Sequence, residues 1–213
     1  MSRRVLVALS FISFAIPGLA SAQSVEIGLK GGVVFAQLPD YMEVLRDLGA
    51  DDVRARTGVV FGAHVAIPLG AGVALQPEAL YTQRGASARL PFGVGDFDLK
   101  LDYLDVPVLL RVGPSSGQGF QFLAGPSFNF NTKAELVLDV PFFNEPGGDI
   151  KDQVESLDIG VVLGGGYYGP GFLVEGRYEE GLTNVVNLPA VLDQTQDYKN
   201  RTFSVMFGIR FGG

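Results

Sequence analysis

The sequence predicts an all-β fold, an eight-stranded antiparallel up-and-down transmembrane β-barrel, on three observations. Segments of about ten or more residues alternate between apolar and polar side chains, the period of two of a strand with one greasy face. Tight Gly/Pro turns alternate along the chain with connections of roughly 12 to 23 residues, well above ordinary hairpin length. The polar parity mixes ionisable residues with glycine, which suits the crowded inside of a narrow barrel better than a wetted exterior.

The last segment shows the pattern most plainly. Phe203, Val205, Phe207, Ile209 and Phe211 fall on one parity, and Thr202, Ser204, Met206, Gly208 and Arg210 on the other. Five large apolar side chains on one strand face need a covering layer, and lipid supplies it. The edge of this strand is expected to pair with the first strand, so that no edge is left free in the bilayer.

Taken in order, residues 1–22 read as a cleaved signal peptide and 23–213 as the barrel domain. Ser2-Arg3-Arg4 is a basic n-region, Val5 to Ile16 an apolar h-region, and Ala20-Ser21-Ala22 a small-x-small cleavage site. The h-region is shorter than the about 20 residues of a spanning helix. Losing Arg3 and Arg4 takes the formal charge from −7 to −9, and an acidic exported protein is a poor nucleic-acid binder.

Strand one, Val25 to Ala36, sets Val25, Ile27, Leu29, Val33 and Phe35 against Glu26, Gly28, Lys30 and Gly32. Strand two, Thr57 to Leu69, sets Val59, Phe61, Val65 and Ile67 against Gly62 and His64. Strand three, Val73 to Arg84, sets Leu75, Ala79 and Tyr81 against Gln76, Glu78, Thr82 and Arg84. Strand four, Phe97 to Val112, exchanges its apolar parity at Tyr103-Leu104, which predicts a β-bulge there, with Pro107 where a ladder donor is dispensable.

Strand five, Gly119 to Thr132, sets Phe120, Phe122, Phe128 and Phe130 against Gln121, Ser127, Asn129 and Asn131. Strand six, Ser156 to Tyr168, sets Leu157, Ile159, Val161, Leu163 and Tyr167 against Asp158 and a set of glycines. Strand seven, Phe172 to Glu180, sets Phe172, Val174 and Tyr178 against Glu175, Arg177 and Glu179. The eighth is Arg201 to Phe211.

Gly70-Ala71-Gly72, Gly113 to Gln118 and Gly169-Pro170-Gly171 supply the tight turns. Gln37 to Arg56, Gly85 to Asp96, Lys133 to Glu155 and Gly181 to Asn200 are the long connections. Short turns on the periplasmic side and long loops outside would place both termini in the periplasm.

The composition agrees. The chain of 213 residues is 47% hydrophobic and only 18% charged, with 29 Gly, 16 Phe, 7 Tyr, no Trp and no Cys. Disulfide scaffolds, thiol catalysis and zinc-thiolate sites are thereby excluded. Tyr81, Phe97 and Tyr178 lie toward the long-loop ends of their strands, and Phe120, Phe122, Tyr167, Phe172 and Phe211 toward the short-turn ends. They read as two aromatic girdles.

Glu26, Lys30, His64, Glu78, Arg84, Asp158, Glu175, Arg177 and Arg210 form the expected polar network of the lumen, paired so that buried charge is tolerated. Such a network would plug the barrel. Gly164-Gly-Gly-Tyr-Tyr-Gly169 matches a phosphate-cradling pattern, but Pro170 stands where the helix should begin. His64, the one histidine, reads as an interior polar residue rather than a catalytic base. No catalytic, cofactor or metal residue is assigned. Asp40, Glu43, Asp47, Asp51 and Asp52 in the first loop, and Glu145, Asp149, Asp152 and Glu155 in the third, read as solvated charge, and Tyr41 to Leu48 could form one or two helical turns.

Several stretches resemble the PorT-like, porin-family outer-membrane β-barrel proteins common in Bacteroidetes and related diderm bacteria. They are Gly28-Leu-Lys-Gly-Gly32, Leu75-Gln-Pro-Glu-Ala-Leu-Tyr81, Leu101 to Arg111 with its Tyr-Leu-Asp-Val-Pro element, Ala124-Gly-Pro126, Asp158 to Gly166 and Arg177 to Asn184. The resemblance implies an eight-stranded outer-membrane barrel and little about activity, although one relative is linked to protein secretion.

The expected function is that of a small non-enzymatic outer-membrane barrel with a filled lumen and an envelope structural or interaction role through its long loops. Its expected surroundings are outer-membrane lipid, lipopolysaccharide and the barrel-assembly machinery, with one unidentified envelope partner. An accessory subunit of a secretion or envelope complex, a narrow pore, and a lipid-modifying barrel enzyme are the alternatives.

Overall fold

The computed structural model describes residues 24–37, 51–89, 96–139, 148–149, 155–183 and 199–212. For residues 37, 51–55, 86, 88–89, 96–98, 136, 138–139 and 148–149 the description is of the backbone alone. The expected signal peptide, the helical turns of Tyr41 to Leu48, and the loop acids Asp40, Glu43, Asp47, Glu145 and Asp152 lie outside the described residues, as do the side chains of Asp51, Asp52 and Asp149.

The strands are β1 (Glu26–Gln37), β2 (Asp51–Gly70), β3 (Val73–Arg89), β4 (Asp96–Val112), β5 (Gly119–Asp139), the two-residue β6 (Gly148–Asp149), β7 (Leu157–Gly169), β8 (Phe172–Gly181) and β9 (Arg201–Phe211). Neighbours run β4, β3, β2, β1, β9, β8, β7, β5, and an antiparallel β4–β5 pairing closes the sheet into a barrel of eight strands. The first and last strands meet in unbroken register from Ile27↔Phe211 to Gln37↔Arg201. Closure leaves no backbone donor or acceptor facing hydrocarbon along that seam.

Three glycine-bearing turns make one end of the barrel. Gly70, Ala71 and Gly72 have φ of 102°, 51° and 78°, a run that glycine makes inexpensive on both sides of the one alanine. Gly171 turns β7 into β8 with φ 80°, and its carbonyl accepts a hydrogen bond from Arg210 N at 3.1 Å.

Side chains alternate as the sequence requires. Ile27, Leu29, Val33, Phe35, Phe61, Leu163, Phe203, Phe207 and Ile209 are among the large apolar residues exposed on the outer surface. Their even-numbered neighbours on the same strands, such as Glu26, Lys30 and Arg210, are buried.

Two sequence expectations need correction. No bulge lies at Tyr103-Leu104: β4 keeps one alternation throughout, with Leu99, Leu101, Tyr103, Asp105, Leu109 and Arg111 all buried. The polarity of the outside changes there, and the backbone does not. Below Leu104 the outer face is apolar; above it Asp102 and Lys100 face outward. Four other strands change at matching points on their outer faces, Tyr81 to Gln83, Phe130 to Thr132, Tyr178 to Glu180 and Phe203 to Arg201. A strand that leaves lipid for water while its inner face stays covered reverses the meaning of the alternation, which imitates a parity slip.

The actual bulge is in β5. Asp102 pairs with Lys133 but Tyr103 pairs with Asn131, so Thr132 is the inserted residue. Its hydroxyl donates to the Asp102 carbonyl at 3.0 Å, and Thr132 and Lys133 both face outward between buried Asn131 and Ala134. The second correction is length. The connections expected after the first, third and fifth strands are partly strand themselves: β2 begins at Asp51 and not at Thr57, which puts the backbone of Asp51 and Asp52 in the sheet, β3 continues past Arg84 to Arg89, and β5 past Thr132 to Asp139. Pro107 sits where the β3–β4 ladder lapses, between Pro77↔Val108 and Leu80↔Asp105.

Candidate functional site

Two features stand out, a layered charge network inside the barrel and a sheet that projects past the end opposite the short turns. The network begins near the short turns. Glu26, on the first inward position of β1, accepts two hydrogen bonds from Arg111 at 2.8 and 3.2 Å, and pairs with Arg210 at 2.7 Å and His64 Nε2 at 3.2 Å. Gly28 leaves the space that the His64 imidazole fills. The guanidinium carbons of Arg111 and Arg210 lie 4.8 and 5.6 Å from the centre of the Tyr168 ring, cation–π contacts that help hold both cations.

One step inward, Glu78 accepts from Lys30 at 2.8 Å, from Gln76 at 2.7 Å, and from both terminal nitrogens of Arg177 at 2.7 and 2.8 Å. Glu175 pairs with Arg177 at 2.7 Å and Lys30 at 3.1 Å, and accepts the Tyr168 hydroxyl. The β7 glycines make room for this: Gly164 and Gly166 stand opposite Arg177 and Glu175, where a Cβ would meet Arg177 Cγ at 2.9 Å and Glu175 Cγ at 3.0 Å.

An apolar step of Val34, Val60, Leu80 and Met206 follows, with a cavity of about 30 Å³ beside it. Beyond lies the second charged layer. Arg84 pairs with Asp105 at 2.7 Å, Glu179 at 3.3 Å and Asp158 at 4.0 Å, and lies 5.0 Å over the Tyr103 ring. Asp158 also accepts from Thr183 at 2.8 Å and Asn200 at 3.1 Å.

All nine residues expected in the lumen are therefore buried, from 0% exposure at Asp158 to 7% at Arg210. They form two layers rather than one network: Glu26, Lys30, His64, Glu78, Glu175, Arg177 and Arg210 in the first, Arg84 and Asp158 in the second. Sequence reasoning left out Arg111, Asp105, Tyr103 and Tyr168. Arg111 and Asp105 were legible, since they share the polar parity of β4; the two tyrosines were masked by their apolar character. An isolated buried ion costs several kcal/mol, and only pairing on more than one side offsets it.

The expected girdle aromatics whose side chains are described face outward. Phe120, Tyr167, Phe172 and Phe207 form a chain of ring contacts across β5, β7, β8 and β9, with centroids 5.5, 6.2 and 6.5 Å apart. Phe122 and Phe211 are exposed near the same end. Tyr81 contacts Phe61 at 5.1 Å, and Tyr178, whose hydroxyl donates to Glu180, is exposed toward the other end. The Phe97 side chain lies outside the described residues.

The end opposite the short turns is uneven. A membrane-spanning strand needs about 9–11 residues. β8 has 10 and β9 has 11, whereas β2, β3, β4 and β5 have 20, 17, 17 and 21. Their mutual pairing continues to Asp51↔Arg89, Arg89↔Asp96 and Asp96↔Asp139. These four strands extend as one sheet, with Glu135 and Leu136 of β5 pairing β6 on its outer edge. On its outward side Lys133 and Glu135 pair at 2.8 Å.

Residues 21–187 match the family described as outer membrane protein beta-barrel domain. A comparison with curated proteins finds no match. Among solved structures, the chain is similar to Neisserial surface protein A, at 12% identity, 89% of this chain, 97% of that one and a TM-score of 0.49. It is similar to Ail, the attachment invasion locus protein of Yersinia pestis, at 13% identity, covering 89% and 99% with a TM-score of 0.44. It is also similar to OprG from Pseudomonas aeruginosa, at 13% identity, covering 90% and 98% with a TM-score of 0.42. With a closed eight-stranded antiparallel barrel, an apolar outer belt and a family match across most of its length, the chain belongs to the outer membrane protein beta-barrel domain family.

Proposed function

We propose that this is a non-enzymatic envelope interaction protein, whose barrel is the anchor and whose projecting β2–β5 sheet is the working part. The observation that carries the reading is the unequal strand length, since four strands run roughly 6 to 10 residues beyond what a bilayer requires. Extended sheet outside lipid offers backbone hydrogen-bonding edges, to which a partner can add a strand. In this reading the chain begins at Gln23 after signal-peptide removal, both termini are periplasmic, and the projecting sheet lies outside the cell. Its assembly depends on the barrel-assembly machinery and its surroundings are lipid and lipopolysaccharide.

The narrower PorT-like grouping is supported by the Tyr103-Leu-Asp-Val-Pro107 element, whose Tyr103 and Asp105 both contact Arg84 in the upper charged layer. The motif then specifies a filled lumen.

The absence of native cysteine makes orientation simple to test. Lys133→Cys should react with a membrane-impermeant maleimide on intact cells, and Ser115→Cys only after the outer membrane is opened; the reverse result would invert the orientation. A photocrosslinker attached to the thiol of the Lys133→Cys variant should trap an envelope protein, and the adduct should vanish when residues 134–149 are replaced by a tight turn in a barrel that still folds. If the adduct persists, or none forms in native membranes, the interaction role fails. Phospholipid hydrolysis by the refolded protein that is lost in His64→Ala would overturn the non-enzymatic reading.

A further inference from the structure

At the short-turn end the outer side of the lower charged layer opens on a feature that the projecting sheet does not use. A mouth of about 330 Å³ opens there, lined by Glu26, Arg111, Ser115, Gln121 and Arg210 among others. Glu26 is the one acid on its wall among the described residues, against two guanidinium groups. Both carboxylate oxygens of Glu26 are already engaged by Arg111, Arg210 and His64, so the mouth keeps one uncompensated positive charge even with His64 neutral.

The donors there are not all used. The Gln121 side chain is 2% exposed, and its Nε2 has no hydrogen-bond partner. Gly113 leaves the space its amide occupies, since a Cβ on that residue would meet the Gln121 amide carbon at 2.5 Å. A buried N–H₂ without an acceptor costs about 1–3 kcal/mol, which a ligand oxygen would recover. The stacking of Arg111 and Arg210 on Tyr168, with Arg210 also donating to the Gly117 carbonyl at 2.8 Å, fixes both guanidinium planes before anything binds. Each guanidinium carries five N–H groups and spends two of them on Glu26 or the Gly117 carbonyl, and the N–H groups beyond those suit an oxyanion. An apolar or cationic guest would meet the wrong charge and leave the amide unsatisfied.

We propose that this mouth is a binding site for a small oxyanion, a carboxylate or a phosphate, held by the outer edges of Arg111 and Arg210 and by Gln121 Nε2. The site is independent of the interaction role assigned to the projecting sheet, and of which barrel end faces the periplasm.

The test uses residues 23–213 refolded in a non-ionic detergent. Sodium phosphate and sodium succinate are titrated separately against sodium chloride at constant ionic strength, while the Gln121 side-chain NH₂ and the arginine Nε–H resonances are followed by NMR. Saturable movement with phosphate or succinate and not with chloride supports the site, and the tighter of the two names the class. Gln121→Leu keeps the charge and should weaken binding about tenfold, the scale of one hydrogen bond to a charged group; Lys133→Gln, at the other end, should leave it unchanged. If Gln121→Leu fails to fold, as judged by heat-modifiable migration, Ser115→Leu narrows the mouth from its turn and should weaken binding instead. Non-saturating shifts, an equal response to chloride, or full affinity in the folded variant would overturn the proposal.

Discussion

Arg177 is the residue on which the lower charged layer turns. Its two terminal nitrogens reach Glu78 at 2.7 and 2.8 Å, and one also reaches Glu175 at 2.7 Å. Removing it leaves two buried carboxylates with Lys30 as their principal cation. Arg177→Leu is expected to destabilise the refolded barrel by about 3–5 kcal/mol, read from urea unfolding in micelles. Adding Glu78→Leu should restore a large part of that loss, because Lys30 and Glu175 remain a pair at 3.1 Å. A double variant no more stable than the single one would show that Arg177 acts by packing and not by charge. At the same scale, Gly32 allows the close approach of β1 to β9. A Cβ there would meet the Val205 carbonyl, and Met206 Cα at 2.7 Å. Gly32→Ala should therefore cost about 1–3 kcal/mol, through overpacking at the closing seam.

For the strands, the β5 bulge separates a tolerated change from a ruinous one. Thr132 is the inserted residue, and deleting it restores plain alternation, with Asn131 inward, Lys133 outward and Ala134 inward. The deletion should fold, with the loss of its hydroxyl bond to Asp102 as the main cost. Deleting Asn129 instead would turn Phe130 into the lumen, since a one-residue slip exchanges the faces. Heat-modifiable gel migration should report a folded barrel for the first and none for the second. The bulge could not be read from the sequence, because Thr132 and Lys133 are polar on both counts and mark no break in an apolar series. The apparent break at Tyr103-Leu104 was visible and misleading, since it records where the outside changes from lipid to water.

Across the whole molecule, two charged layers and the apolar step between them fill the barrel from Glu26 to Asp158. Planar bilayers containing the purified protein are expected to show no steady channel, and large stable conductances would contradict a filled lumen. Material that stays monodisperse without detergent would contradict the lipid-facing belt. The sequence by itself determined the eight barrel strands and the lipid-facing parity of the belt, though not the parity of β4 above Leu104. Each of these follows from local alternation, which covalent geometry imposes on any extended chain. Only the tertiary structure decided which charges meet: Lys30 lies 48 residues from Glu78 and 145 from Glu175, and such pairings depend on shear and closure, which periodicity does not encode. The same holds for how far β2 to β5 extend past the belt. Above the rim the outer face is wet, and glycine- and serine-containing sequence such as Gly85 to Arg89 stays in the sheet because its neighbours across the ladder hold it there.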